Sequence, residues 1–458
     1  MMHRQTAVAE AAAAAEPATE LSPEQALQLA IAWHREGRWD AAGKIYEALL
    51  RVQPRDANVL HFLGMLRYQR GRRDEAIALM QQSIAEDGTV PDWHCNLGNV
   101  LLESNRLDEA AAAYARAQAL APERPELHNN LGALLREQGR LAEAEAAYRR
   151  ALELKPDFAD AHTNLGSLLM RTGRPEEGIR TFWEALVHSP RHGKARKLVG
   201  MAYGQLGRME EAARVYREWL EDEPGNAEAL HHLAACAGGP VPQRAADDYV
   251  ETVFDGFAKS FDAKLTRLHY QAPALVAQRV AELAGAPQRA LRVLDAGCGT
   301  GLCGPLLAPY ARHLHGVDLS AGMLAQAEPR KVYDQLSKGE LTAFIAAAPA
   351  SSWELIVSAD TLCYFGGLAD VAAAAAHALA PGGWLVFTVE ALPEAAAEPY
   401  RLHPHGRYAH RAGYVREALA AAGLAVLGVQ AAHLRTENAR PVDGFLVSAR
   451  KAEAARSS

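Results

Sequence analysis

Small and apolar residues recur along the first half of the chain with a spacing that never slips. Glycine stands at Gly64, Gly98, Gly132, Gly166 and Gly200, each 34 residues after the last, preceded by Leu63, Leu97, Leu131, Leu165 and Val199. A second row of small residues runs Ala42, Ala76, Ala110, Ala144, Gly178 and Ala212, and a large residue follows four positions later at Tyr46, Met80, Tyr114, Tyr148, Phe182 and Tyr216. Phase-locked rows at this period predict stacked helical hairpins. A small residue on each helix lets the two backbones approach, and the large one fills the space beside the contact. The turn inside each hairpin falls at Gly37, Gly71, Gly139, Gly173 and Gly207, with Asn105 in the third unit, residues suited to the left-handed conformation that ends a helix. Pro54, Pro122, Pro156, Pro190 and Pro224 close the units, and Ala227 to Ala237 reads as a final solvating helix.

After Gly238-Gly239-Pro240-Val241-Pro242 the pattern changes. Short apolar runs, Leu291 to Leu294, His313 to Val317, Leu355 to Ser358, Trp384 to Val389, Leu424 to Val429 and Phe445 to Ser448, alternate with helical stretches. Such alternation predicts a mostly parallel sheet flanked by helices, and the short connection before the last run predicts an antiparallel final strand. The first run opens into Asp295-Ala296-Gly297-Cys298-Gly299-Thr300-Gly301, a glycine turn at which a ligand can lie against bare backbone. Asp318 ends the next run, where a carboxylate can accept both hydroxyls of an adenosine ribose. The G-x-G-x-G spacing differs from the G-x-G-x-x-G suited to a dinucleotide pyrophosphate.

These motifs carry two resemblances. The repeats resemble tetratricopeptide repeats, about six copies over residues 23–224. Asn96, Asn130 and Asn164, each in the string Asn-Leu-Gly, resemble the asparagine ladder lining the superhelix of O-linked N-acetylglucosamine transferases, where the amides hold peptide backbone. Hydrogen bonding between helices is the alternative reading of that row, and His94, His128 and His162 read as packing residues at the same period. Residues from about 248 to 450 resemble a class I S-adenosylmethionine-dependent methyltransferase. That resemblance implies S-adenosylmethionine as cofactor, held by Asp295, Gly297, Gly299 and Gly301 of the principal motif, by Asp318 at the ribose, by the adjoining Leu319, and by Glu340, where Asp is usual, at the adenine. It places Asp360, in Ser358-Ala359-Asp360, beside the transferred methyl, and makes Phe254 to Asp262 an aromatic segment covering the cofactor. The pairing of both domains resembles a group of predicted bacterial methyltransferases.

The expected organisation is therefore a tail over 1–20, an all-α repeat solenoid over 21–237, a linker over 238–247, an α/β Rossmann-like methyltransferase domain over 248–450 and a tail over 451–458. Methyl transfer needs alignment and exclusion of water, and a base only where the acceptor must lose a proton. The segment His403 to His410 carries candidates: His410 as base, with Tyr408 and Arg407 orienting the acceptor, and Asp360 as a further catalytic candidate or a helix cap. The solenoid is expected to recruit a protein or peptide. Two alternatives stand beside this reading: an interaction scaffold whose second domain is a cofactor sensor or inactive, and a nicotinamide-dependent oxidoreductase.

Composition narrows the field. With 49% hydrophobic and 22% charged residues, the chain fits neither a collagen nor a disordered class. A net charge of -7 argues against a dedicated nucleic-acid binder. Five cysteines without a C-x-x-C pair suggest neither a secreted disulfide framework nor a structural metal site, and point to the cytoplasm. No run reaches the ~20 apolar residues that cross a bilayer.

Overall fold

The structure, a computed structural model, describes residues 21–239, 241–437 and 440–453. The tail expected over 1–20, and residues 454–458 of the C-terminal one, lie outside the described residues. The chain divides into two compact units, Met1–Pro190 and Arg191–Ser458. The divide falls inside the repeat series rather than after it, so the last hairpin and the final repeat helix belong with the sheet.

In the first unit, helices Pro23–Arg35 and Trp39–Val52 form one hairpin, and the pattern repeats through Ala159–Arg171 and Pro175–His188. The turn residues behave as their chemistry dictates: Gly37, Gly71, Gly139 and Gly173 take φ of 77–78° and Asn105 takes 59°. A Cβ on Gly98 would stand 2.5 Å from the Tyr114 ring, and one on Gly132 2.6 Å from that of Tyr148. Those tyrosines are fully buried, so each glycine is the seat of the aromatic sixteen residues later. The histidine row has a structural use as well: His94, His128 and His162 bond through Nε2 to the carbonyls of Gly88, Pro122 and Pro156, at 3.1, 2.8 and 2.8 Å. Each ties its helix to the turn that precedes it.

The second unit is built on one sheet. Its strands are β1 (Leu291–Ala296), β2 (Ala311–Asp318), β3 (Gln335–Lys338), β4 (Trp353–Ser358), β5 (Leu379–Ala391), β6 (Tyr400–Leu402), β7 (Tyr408–His410), β8 (Leu424–Glu437) and β9 (Arg440–Lys451). Strands run parallel in the order β3-β2-β1-β4-β5. β9 adds antiparallel to β5 and β8 to β9, so the antiparallel end expected from the short connection is present. β7 continues β5 in parallel at Glu390 and Ala391 and pairs antiparallel with β6. Apolar layers cover both faces, one including Val276 and Val280 of helix Ala272–Ala284, the other Val371 and Ala375 of helix Ala369–Ala378.

Three expectations need correction. β8 does not stop near Val429 but continues to Glu437, burying Leu434 and Arg435; the arginine hides because carboxylates surround it. The candidate segment His403 to His410 does not lie wholly over the cavity: residues 403–407 are the turn that joins β6 to β7, and Tyr408 to His410 are β7 itself. Residues 242–245 are not a free linker: the Gln243 carbonyl accepts from Gly366 and Gly367 N–H at 2.8 Å each, Ala245 N–H donates to the Tyr364 carbonyl at 2.8 Å, and Tyr408 Oη donates to the Pro242 carbonyl at 3.0 Å.

Candidate functional site

A cavity of about 250 Å3 opens at the carboxyl ends of β1, β2 and β4, the place where parallel α/β sheets bind ligands. Its floor is the glycine turn. Gly297 and Cys298 N–H both donate to the Val317 carbonyl, at 2.8 and 3.0 Å, which pins the turn to the end of β2. Gly299 takes φ 55°, and a Cβ there would project into the cavity with only the Phe261 ring near it, at 3.9 Å. Bare backbone therefore faces the space. Asp318 lines the same wall, its Oδ2 accepting from Gly299 N–H at 2.8 Å and its Oδ1 from Ser320 N–H at 2.9 Å. Burial pushes this carboxyl up, against the pull of those N–H donors. Glu340 completes the wall and caps the helix Leu341–Ala347, accepting from Thr342 and Ala343 N–H at 3.0 and 2.7 Å.

The roof is the segment before β1. Phe254, Phe257 and Phe261 line the cavity with packed rings, and two aspartates latch the segment to the glycine turn and to the helical segment after β2. Asp255 accepts from Ser320 Oγ and from Gly322 N–H at 2.9 Å. Asp262 accepts from Thr300 Oγ1 and from Arg330, whose Nε also donates to the Thr300 carbonyl at 2.6 Å.

The far wall is a ring of buried charge. Arg435, with 3% of its side chain exposed, donates to Asp360 at 2.8 and 2.7 Å, to Glu437 at 2.7 Å and to Glu390. Arg407 donates to Glu390 at 2.6 Å and to Glu437 at 2.9 and 2.7 Å. Burial opposes ionisation of Glu437, but Arg407 and Arg435 outweigh it and hold its carboxyl down at about 2. Asp360 sits at φ 56°, a left-handed conformation costing a non-glycine residue ~1–3 kcal/mol that its surroundings must offset. Three carboxylates meet two guanidiniums here, and Asp360, Arg407, Arg435 and Glu437 face the cavity.

A family model described as a methyltransferase domain matches residues 268–429, and tetratricopeptide-repeat models match 27–91, 95–160 and 135–201. The chain carries tetratricopeptide repeats and a methyltransferase domain. Among curated relatives, human methyltransferase-like protein 27 is 32% identical over 136 residues, covering 30% of this chain and 55% of that protein. The ubiquinone biosynthesis O-methyltransferase of Burkholderia multivorans is 28% identical over 100 residues, covering 21% of this chain and 43% of the relative. The chain thus spans about half the length of these two relatives. Among solved structures, that of Pseudomonas aeruginosa PilF covers 46% of this chain and 96% of its own, at 18% identity and a TM-score of 0.40.

Within the methyltransferase domain the structure gathers Gly297, Gly299, Asp318, Leu319, Glu340 and Asp360 around one cavity. It does not bring in Asp295 or Gly301. Asp295 lies behind the turn, 1% exposed, receiving the Tyr333 hydroxyl at 2.6 Å; burial pushes its carboxyl up to about 7 against that hydrogen bond. A Cβ on Gly301 would meet Tyr333 at 2.9 Å, so both residues brace the turn rather than face the space. His410 and Tyr408 are corrected too. Both are fully buried, His410 bonded through Nε2 to the Gly366 carbonyl at 3.2 Å and Tyr408 to Pro242, because β7 turns them into the sheet's packing. Asp360 is an ion-pair member rather than a helix cap.

In the repeats, two members of the asparagine row join neighbouring units. Asn96 Nδ2 lies 3.2 Å from His61 Nε2, and Asn164 Nδ2 donates to Asn129 Oδ1 at 2.9 Å. All three of Asn96, Asn130 and Asn164 remain half-buried rather than enclosed. Sequence reasoning assigned no role to Glu390, Arg435 and Glu437. The signal was charge in register: Arg435 and Glu437 fall two residues apart in an extended run, which puts both on one face of a strand.

No helix is long and apolar enough to cross a membrane, and no group of three or more His, Cys, Asp or Glu is placed to hold a metal ion, in both cases among the described residues.

Proposed function

We propose that the cavity binds S-adenosylmethionine and that the protein is a class I methyltransferase acting on an acceptor seated against the Asp360–Arg407–Arg435–Glu437 wall. The observation that carries this reading is the pairing of the bare Gly299 backbone with Asp318 on one cavity wall. The Asp318 carboxylate takes backbone N–H bonds from Gly299, Ser320 and Leu319, and with about four lone-pair sites it keeps room for a ribose hydroxyl. Gly297 and Gly299 would lie along the methionine part, and Leu319 and Glu340 about the adenine. When bound, that cofactor supplies a methyl group activated by a positively charged sulfur. Phe254, Phe257 and Phe261 keep water from it, and the charged wall orients the acceptor. Histidine is absent from the described lining. A proton released by an alcohol or phenol acceptor would therefore go to Asp360, whose carboxyl burial pushes up, rather than to Glu437, which Arg407 and Arg435 hold too acidic to accept it, while an amine or thiolate would need no such help.

The repeats support a recruiting role for the solenoid, with a protein or peptide along the half-buried Asn96, Asn130 and Asn164 row. The five cysteines are thiols, four of them buried, which suits a reducing cytoplasm.

The test is incubation of the purified full chain with methyl-labelled S-adenosylmethionine and source-cell extract, followed by identification of the labelled species. Label that appears with the parent and not with Asp318→Ala is expected. Equal labelling by both proteins, or none by the parent in any fraction, contradicts the reading.

A further inference from the structure

Arg407 reaches the cavity wall from the turn between β6 and β7, and that turn is gripped from outside. Inside, the turn is closed by His403 N–H on the Arg407 carbonyl at 2.9 Å and by Gly406 N–H on the His403 carbonyl at 2.8 Å, with Gly406 at φ 90°. Outside lie the last elements of the repeat series, helices Gly193–Gln205, Met209–Asp222 and Ala227–Cys236. His231 Nε2 is 2.9 Å from the Gly406 carbonyl, and His232 Nδ1 is 3.0 Å from that of Pro404. A carbonyl only accepts, so each of those ring nitrogens carries the proton. The rings cannot swing away: His231 stacks on Tyr249 with centroids 4.0 Å apart, His232 stacks on Tyr216 at 5.5 Å, and both histidines are buried. Gly204 leaves room for Pro404, since a Cβ there would stand 2.6 Å from that ring.

We propose that His231 and His232 are positioning residues of the acceptor site: by donating to the Gly406 and Pro404 carbonyls, the final repeat helix sets the turn that brings Arg407 to Glu390 and Glu437. The final helix is thereby a working wall of the methyltransferase unit rather than a solvating cap. The coupling is short, because Gly406 directly precedes Arg407 and both bonds fall within three residues of it. The inference rests on the methyltransferase reading only for what the cavity holds.

The test reads the Arg407 side chain in the full-length, 15N-labelled protein. Its Nε–H, buried against Glu390, gives a protected resonance assigned by its loss in Arg407→Lys. The Nε–H of Arg435, held by Glu437 from β8, serves as the internal reference. In His231→Leu/His232→Leu, exchange of the Arg407 proton should rise about tenfold or more while that of Arg435 holds, since two hydrogen bonds are removed. His231→Gln/His232→Asn, which keeps an amide donor at each site, should restore protection. Unchanged Arg407 exchange in the leucine pair overturns the proposal, as does equal exchange in the leucine and amide pairs. If the leucine pair does not fold, His231→Leu against His231→Gln carries the same comparison, with equal exchange again overturning it. Cofactor titration of the parent reports separately: a chain that binds no S-adenosylmethionine sinks the methyltransferase reading and leaves the Arg407 comparison standing.

Discussion

Replacing Arg435 by methionine removes the one cation that touches all three carboxylates of the buried ring. Arg435 has 3% of its side chain exposed, Glu390 6% and Asp360 15%. Taking one partner from a buried ion pair costs ~3–5 kcal/mol, because the charge left behind has lost its counter-ion. Three acceptors lose a donor at once here, so the upper half of that range is expected. At ~2–4 °C per kcal/mol for a unit of this size, ~4 kcal/mol lowers the midpoint of the second unit by roughly 12 °C. The deficit also has a pH signature. Burial pushes the Asp360 carboxyl above its usual 3.8, and Arg435 opposes that push. Without the arginine the folded value rises further. A group raised on folding contributes stability present below its unfolded value and lost as pH climbs through the folded one. The Arg435→Met deficit should therefore be larger at pH 8 than at pH 5, and Asp360→Asn added to it should recover part of the loss at pH 8. Urea titration of both variants at the two pH values is the assay. A deficit under ~1 kcal/mol at pH 8, or one independent of pH, would refute the cluster as described.

Other consequences are open to direct measurement. Gly132→Val should cost ~2 kcal/mol or more, because its side chain meets the buried Tyr148 ring, whereas Gly225→Val, with open space around it, should change stability little; thermal melts compare them. Asn164→Ala should destabilise the repeats by ~1 kcal/mol through loss of the Asn129 bond. Asn130→Ala, at a position that makes no such bond among the described residues, should be neutral in melts yet weaken peptide capture in pull-downs. Burial lowers the imidazole of His410 from 6.5 to about 4 and that of His232 to about 3. A group depressed in this sense contributes stability above its unfolded value that is lost as pH falls, ~3 kcal/mol for His410 alone. Unfolding free energy should therefore decline steadily from pH 6.5 to 4, and a flat profile would contradict the burial of these rings.

The repeats were legible because one contact recurs: a glycine that seats a large side chain sixteen residues on, an aromatic after Gly98, Gly132, Gly166 and Gly200 and Met80 after Gly64, leaves the same trace from unit to unit, down to Asn105 standing in for glycine at positive φ. The glycine turn and Asp318 were legible because backbone exposure at Gly299 and a carboxylate ending β2 are local demands. The acceptor wall was not. Arg407, Asp360, Glu390 and Arg435 lie on a hairpin turn, on the segment after β4 and on two strands far apart in sequence, and their pairing is set by long-range register that no short motif records. His410 misled for the same reason. The polar residues around it marked it as a base for the acceptor, while the short β7 pairings turned its ring inward.

Calorimetric titration of S-adenosylmethionine into the full chain and its Asp318→Ala variant tests the cavity and its carboxylate together. The parent should bind, and the variant should bind roughly 10–100-fold more weakly, since a charged acceptor of hydrogen bonds is worth ~1.5–3 kcal/mol. Equal affinity in the two proteins, or no binding by a folded parent, would contradict the assignment.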